Sequence, residues 1–148
     1  MTRELPRVSL GVPVHNAERY LATCLDGLLA QDYPNFEIIV SDNASTDATW
    51  EICQRYAARD RRIRLYRNPR NLGGHANYAR VVELARGEFF KWVAYDDVCL
   101  PAYLRVCVAA RSASGSRSRI STTKLSPSVR ATKSTSRALA LSRSPTSI

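Results

Sequence analysis

Short apolar runs alternate with longer segments of helical periodicity from residue 8 to residue 104, and this alternation constrains the fold more than any other feature of the chain. Val8 to Val14 (VSLGVPV), Phe36 to Val40 (FEIIV), Arg62 to Tyr66 (RIRLY) and Phe89 to Ala94 (FFKWVA) are short and rich in β-branched or aromatic residues, which predicts strands. Behind the first, with Asn16 as N-cap, Tyr20, Leu21, Cys24, Leu25, Leu28 and Leu29 recur at helical spacing to about Ala30. A second helix follows the polar turn Asp42 to Asp47, capped by Ser45, Thr46 or Asp47, and runs through Trp50, Cys53, Tyr56 and Ala57. A third carries Ala76, Ala79, Val82 and Leu84 on one side and is stopped by Gly87. Helices that alternate with short strands in this β-α-β-α-β-α-β order predict an α/β fold, a mostly parallel sheet with right-handed crossovers and flanking helices.

A chain of 148 residues suffices for one domain. Its net charge of +9 invites a nucleic-acid reading, yet residues 1–105 hold 14 basic and 13 acidic residues. The other 8 basic residues stand in 106–148, which hold no acid, so the basicity belongs to a tail. One more helix begins after Pro101 (Tyr103, Leu104, Cys107, Val108), and from Ser112 onward no aromatic residue and no periodicity survive. The organisation expected is therefore a domain over 1–110 and a disordered Ser/Arg-rich tail over 111–148. The tail lacks the aromatics that stack on bases and any recognition motif, so no specific nucleic-acid partner is expected. Its composition matches out-of-frame translation of a GC-rich gene, which reading the coding DNA past the Ala110 codon in the other two frames would test. Four cysteines form no Cys-x-x-Cys pair and find no histidine at ligand spacing, which suits reduced structural thiols. With neither a secretory leader nor an apolar run of about 20 residues, the expected location is cytoplasmic, any membrane association coming through the acceptor.

In an open parallel sheet, ligands bind beyond the carboxyl ends of the strands, where the strand order reverses. Pro13-Val14-His15-Asn16, Ser41-Asp42-Asn43 and Tyr95-Asp96-Asp97 are the polar ends of three predicted strands. The turn after the first strand holds no glycine and the chain has no Walker lysine loop, so a diphosphate bound here needs another source of positive charge. A divalent cation on Asp96 and Asp97 would supply it, since Mg²⁺ uses one or two carboxylates and completes its shell with phosphate oxygens. Each of these acidic runs also serves as turn or cap: Asp42 to Asp47 ahead of the second helix, and Asp96-Asp97 ahead of the helix near Pro101. His15 reads as a hydrogen-bonded turn residue, His75 as a loop residue, Trp50 and Trp92 as core, and Arg59, Arg61, Arg62 and Arg64 as a solvated rim.

Taken in order, VSLGVPVHNAERYL, FEIIVSDNASTD and NLGGHANYARVVELARGEFFKWVAYDD resemble the family 2 glycosyltransferases of the GT-A fold, over residues 8 to about 104. The resemblance implies a nucleotide-diphosphate sugar, UDP-linked in most cases, as the bound donor. It implies that Pro13 lines the nucleobase pocket, that Asp42 accepts a hydrogen bond from the base, that Asp96 lies near the ribose and that Asp97 ligates Mg²⁺ or Mn²⁺. The chain departs from the family pattern at His15 (often Tyr or Phe), at Ser41 (often Asp), and near Glu18, where one acid stands for two. Asn77-Tyr78-Ala79 replaces a frequent Ala-Arg-Asn and removes a diphosphate-facing arginine. In the family the catalytic base and the acceptor pocket follow the metal motif. Residues 106–148 contain no Asp, Glu or His, so the catalytic base is unassigned and the acceptor unknown. A separately encoded second half, or a role as a non-catalytic nucleotide-binding module, is the alternative.

Overall fold

The structure, a computed structural model, describes residues 7–113. Eight elements follow in chain order: β1 (Val8–Val14), α1 (Leu21–Leu29), β2 (Phe36–Asp42), α2 (Thr49–Arg59), β3 (Ile63–Arg67), α3 (Gly74–Glu83), β4 (Phe89–Trp92) and α4 (Tyr103–Ala113). The strands form one sheet in the order β3-β2-β1-β4, and every pairing is parallel. The chain thus steps outward from β1 to β3 and then crosses back to β4, which puts the reversal of strand order at the β1/β4 boundary.

Strands β1 and β2 are buried along their whole length, yet their two faces differ in kind. Val8, Leu10, Val12 and Val14 of β1, with Phe36, Ile38 and Val40 of β2, enter the main core with Cys24, Leu25 and Leu28 of α1 and Ile52 and Cys53 of α2. The alternate residues Ser9, Gly11, Glu37 and Ser41 face α3, where small and polar groups predominate. A Cβ at Gly11 would stand 2.8 Å from the Val81 side chain and 2.5 Å from the Phe90 ring, so α3 and β4 pack directly on that strand.

Pro13 fits β1 because of where β4 ends. In a parallel strand, residues bond to left and right neighbours alternately. Val14 O accepts from Asn43 N on the β2 side, and Gly11 O accepts from Val93 N on the β4 side. The nitrogen of Pro13 therefore faces the β4 side, beyond the last register pair Gly11↔Trp92, where no ladder bond is lost. The two strands part at this point, which opens the carboxyl edge of the sheet.

Several local expectations change. Helix α1 starts at Leu21 with Tyr20 at its N-cap, and Asn16 instead bonds across to the β2 loop, its Oδ1 accepting from Thr46 N at 2.9 Å. Ala48 holds the N-cap position of α2 with no side-chain bond, while Asp47 beside it accepts from Thr49 N at 2.9 Å. On α3 the buried residues are Asn77 and Val81, with Ala76 and Ala79 exposed, because the face turned to the sheet meets polar as well as apolar groups. Gly87 lies beyond the end of that helix; a Cβ there would stand 2.7 Å from Arg7 O and 2.8 Å from Ser9 N, so close backbone approach requires the glycine. Strand β3 runs to Arg67, one residue past the expected edge, and β4 stops at Trp92. Helix α4 continues through Ala113, so residues 111–113 belong to the folded domain; the rest of the expected tail lies outside the described residues.

Candidate functional site

The expected site residues stand at the carboxyl edge of three adjacent strands. Pro13 is one residue from the end of β1, Asp42 is the last residue of β2, and Asp96 and Asp97 follow the end of β4. Their environments differ sharply: Pro13 and Asp42 are buried, Asp96 and Asp97 exposed.

Asp42 lies inside the strand, paired with Val14 on one side and with Arg67 on the other. Its Oδ1 accepts from Ser45 N at 3.2 Å and from the Ser45 hydroxyl, which fixes the carboxylate plane. Its Oδ2 is buried and accepts no hydrogen bond. Arg67 Nε comes within 3.1 Å of that oxygen as an ion pair, but without hydrogen-bond geometry. A buried carboxylate oxygen without a donor is costly, and at a ligand-binding edge it fits an N–H brought by a ligand.

Asp97 ends a turn in which its N–H donates to Ala94 O at 3.0 Å and its Oδ2 accepts from Ala94 N at 3.1 Å. That turn fixes the direction of the carboxylate, and Asp96 is exposed beside it. The pair does not cap α4, which begins at Tyr103. Among the described residues no group of three His, Cys, Asp or Glu converges as a metal cage. The two carboxylates suit a hard cation that takes its remaining oxygens from a diphosphate and water. Cys24 donates its Sγ–H to Ala94 O at 3.4 Å. Burial, reinforced by Cys99 and by the Asp97 and Asp96 carboxylates, pushes its thiol up to about 12, so it stays protonated at neutral pH.

An amide network missed in the sequence reading ties these strand ends together. Asn77 of α3 accepts from the Ser41 hydroxyl at 2.7 Å and from Asn68 Nδ2 at 3.0 Å, and donates to Ser41 O at 2.9 Å and Val14 O at 3.4 Å. Asn43 accepts from Asn68 Nδ2 at 3.0 Å and Leu72 N at 2.9 Å, and donates to Asn71 Oδ1 at 2.8 Å. His15 is half-buried and joins the same network. Its Nδ1 meets Asn43 O at 3.0 Å, so Nδ1 carries the proton and Nε2 accepts from Asn71 Nδ2 at 3.4 Å. The sequence signal was the recurrence of Asn at 43, 68, 71 and 77, in the turns and loop after the predicted second and third strands and at the start of the third helix. Ala44, with φ 58°, holds a left-handed conformation unusual for a residue with a Cβ, in the loop that follows Asp42.

Four other expectations are corrected. His75 lies in the first turn of α3. Trp92 is 41% exposed and lies outside the core, whereas Trp50 is half-buried and packs against the core as expected. Arg64 leaves the solvated rim to pair with buried Glu37 at 3.0 Å, and Arg62 pairs with Asp60 at 2.7 Å while lying over the Phe36 ring.

Comparison with known proteins returns consistent findings. Residues 9–118 match the family model described as Glycosyl transferase family 2. EpsH of Bacillus subtilis (strain 168), a provisionally named glycosyltransferase, is 40% identical over 101 residues, which cover 68% of this chain and 29% of that protein. S. aureus TarS 1-349, solved in complex with UDP-GlcNAc, superposes with a TM-score of 0.67 at 31% identity, covering 72% of this chain and 31% of the other. The mannosyltransferase PcManGT from Pyrobaculum calidifontis, solved with GDP-Man and Mn²⁺, superposes with a TM-score of 0.64 at 28% identity, covering 73% and 32%. The chain therefore spans about a third of each of these proteins.

Proposed function

The chain belongs to glycosyl transferase family 2, and from that premise we propose that its carboxyl sheet edge binds a nucleoside-diphosphate sugar, UDP-linked by preference, for transfer to an acceptor. The observation that carries this reading is the buried Oδ2 of Asp42, an oriented acceptor without a hydrogen-bond donor. Asp42 takes an N–H of the base, Pro13 lines the base pocket where β1 and β4 part, and Asp96 lies toward the ribose. Asp97 holds Mg²⁺ or Mn²⁺ together with the diphosphate. When bound, the cation neutralises diphosphate charge that no glycine-rich loop or lysine addresses here. TarS with UDP-GlcNAc supports the nucleotide class, and PcManGT with GDP-Man and Mn²⁺ supports the cation.

A second reading, that of a donor-binding module completed by another polypeptide, is favoured by one sequence fact. No Asp, Glu or His stands among residues 98–148, so that segment holds no carboxylate or imidazole for deprotonating an acceptor hydroxyl.

Calorimetric titration of the full chain with UDP, GDP and TDP, with and without Mn²⁺, tests both. UDP binding that depends on the metal, falls about tenfold or more in Asp42→Asn and is lost in Asp97→Ala is expected. Binding of none of the three nucleotides, or affinity unchanged by both substitutions, overturns the proposal. Salt-sensitive RNA or DNA binding alone would favour a nucleic-acid role. Transfer activity that appears only when the product of the adjacent reading frame is added supports the module reading; transfer by the chain alone overturns it.

A further inference from the structure

We infer that Arg67 is a gate on Asp42: its guanidinium covers the carboxylate oxygen that a nucleobase takes and must slide aside, along Trp50, for the base to enter. The inference rests on the nucleotide-binding reading above. Asp42 and Arg67 end adjacent strands as a register pair, so their side chains leave the same face of the sheet at the same level. The Asp42 side chain is 0% exposed while that of Arg67 is 41% exposed, so the guanidinium stands between the carboxylate and solvent.

Three contacts of Arg67 separate a gate from a structural clamp. Nε is 3.1 Å from Asp42 Oδ2, yet its N–H is not aimed there and Oδ2 remains without a hydrogen bond. The terminal nitrogen donates instead to Ser45 O at 3.0 Å. The guanidinium carbon lies 5.0 Å from the centroid of the Trp50 ring, a stacking contact indifferent to small lateral shifts. Asp42 does not need Arg67 for its orientation, because Ser45 holds Oδ1 through two bonds. Arg67 supplies countercharge and cover; Ser45 supplies aim. An incoming N–H donor can therefore take Oδ2 without disturbing the carboxylate, while Trp50 retains the displaced guanidinium.

The two roles predict opposite signs. A clamp lost by substitution lowers both stability and affinity. A gate lost by substitution lowers stability, because a buried carboxylate loses its countercharge, and raises affinity, because no ion pair has to be displaced. We expect Arg67→Met, which keeps the stem over Trp50, to melt at a lower temperature and to bind UDP about two- to fivefold more tightly, the span set by the modest strength of a half-exposed ion pair. Equal or weaker binding by a folded Arg67→Met overturns the gate. In a Trp92→Phe background, where Trp50 is the remaining tryptophan, UDP is expected to shift the fluorescence, and Arg67→Met is expected to abolish the shift. An unchanged Trp50 signal on saturation with UDP overturns the gate even if Arg67→Met fails to fold. Failure of the unmodified chain to bind UDP overturns the nucleotide-binding reading, and the gate with it.

Discussion

Glu37 has no part in the proposed site, yet it is a fully buried carboxylate with both oxygens partnered. It is fully buried near the amino-terminal edge of the sheet, where its Oε1 accepts from Ser9 Oγ at 2.7 Å and Arg86 N at 2.8 Å. Its Oε2 pairs with Arg64 at 3.0 Å and with Arg7 at 3.3 Å. Burial alone would raise its ionisation range; the bonds from Ser9, Arg86 N and Arg64, with the charge of Arg7, outweigh burial and hold it below the ordinary carboxylate value. A carboxylate lowered by folding contributes stability that is fully present above its unfolded value, about 4.3, and is lost as pH falls through its own lower value. Thermal melts between neutral pH and pH about 3 are expected to show this loss. Glu37→Gln is expected to flatten that slope and to cost about 3 kcal/mol at neutral pH, since Arg64 is left without its partner.

Helix α3 is attached to the sheet as much by hydrogen bonds as by apolar contact. It buries Asn77 and Val81, one turn apart, and Asn77 bonds to both β1 and β2 as well as to Asn68. Gly73, the N-cap residue ahead of the helix, has φ 87°, a conformation that favours glycine. Asn77→Ala would leave the Ser41 and Asn68 groups without their shared partner in a buried place. Chemical denaturation is expected to give a loss of about 2 kcal/mol, accompanied by weaker UDP binding because the ends of β1 and β2 lose a common anchor. Loss of stability with full UDP affinity would show that the network supports the fold alone. Helix α4 depends on a similar device, since Gln31 donates to Leu100 O at 2.7 Å and accepts from Leu104 N at 2.9 Å.

At the scale of the whole molecule, apolar exposure concentrates near β4 and α4. Val98 is 68% exposed, Leu100 73% and Val106 58%, and a groove lined by Val8, Phe89, Phe90, Leu104 and Val108 runs between the strand and the helix. Clustered exposure of this kind promotes association. Leu100→Ser combined with Val106→Ser is expected to raise the solubility limit while leaving the melting temperature within about 1 °C, as neither side chain is buried. Static light scattering against concentration checks the first expectation and a thermal melt the second. No helix among the described residues is long and apolar enough to cross a membrane.

The α/β architecture was legible in the sequence because it rests on local periodicity. Strand β1 has the bounds that VSLGVPV implies, and α1 and α2 turn to the core the apolar faces that their 3.6-residue recurrence places there. Helix α3 lies where expected but buries Asn77 and Val81 instead of Ala76 and Ala79. The edge that carries Pro13, Asp42, Asp96 and Asp97 was legible for the same reason: a parallel sheet delivers the ends of its strands to one side. What fills each side chain's surroundings was decided by packing between distant segments. The pairing of Arg67 with Asp42 across β2 and β3, the pairing of Arg64 with buried Glu37, and the bonds from Asn68 to Asn43 and from Asn77 to Val14 join residues 25 to 63 positions apart. Periodicity reports which face of an element is buried. It does not report which polar groups meet there, because a buried hydrogen bond depends on the register of strands and the seating of a helix, and these exist only in the folded chain.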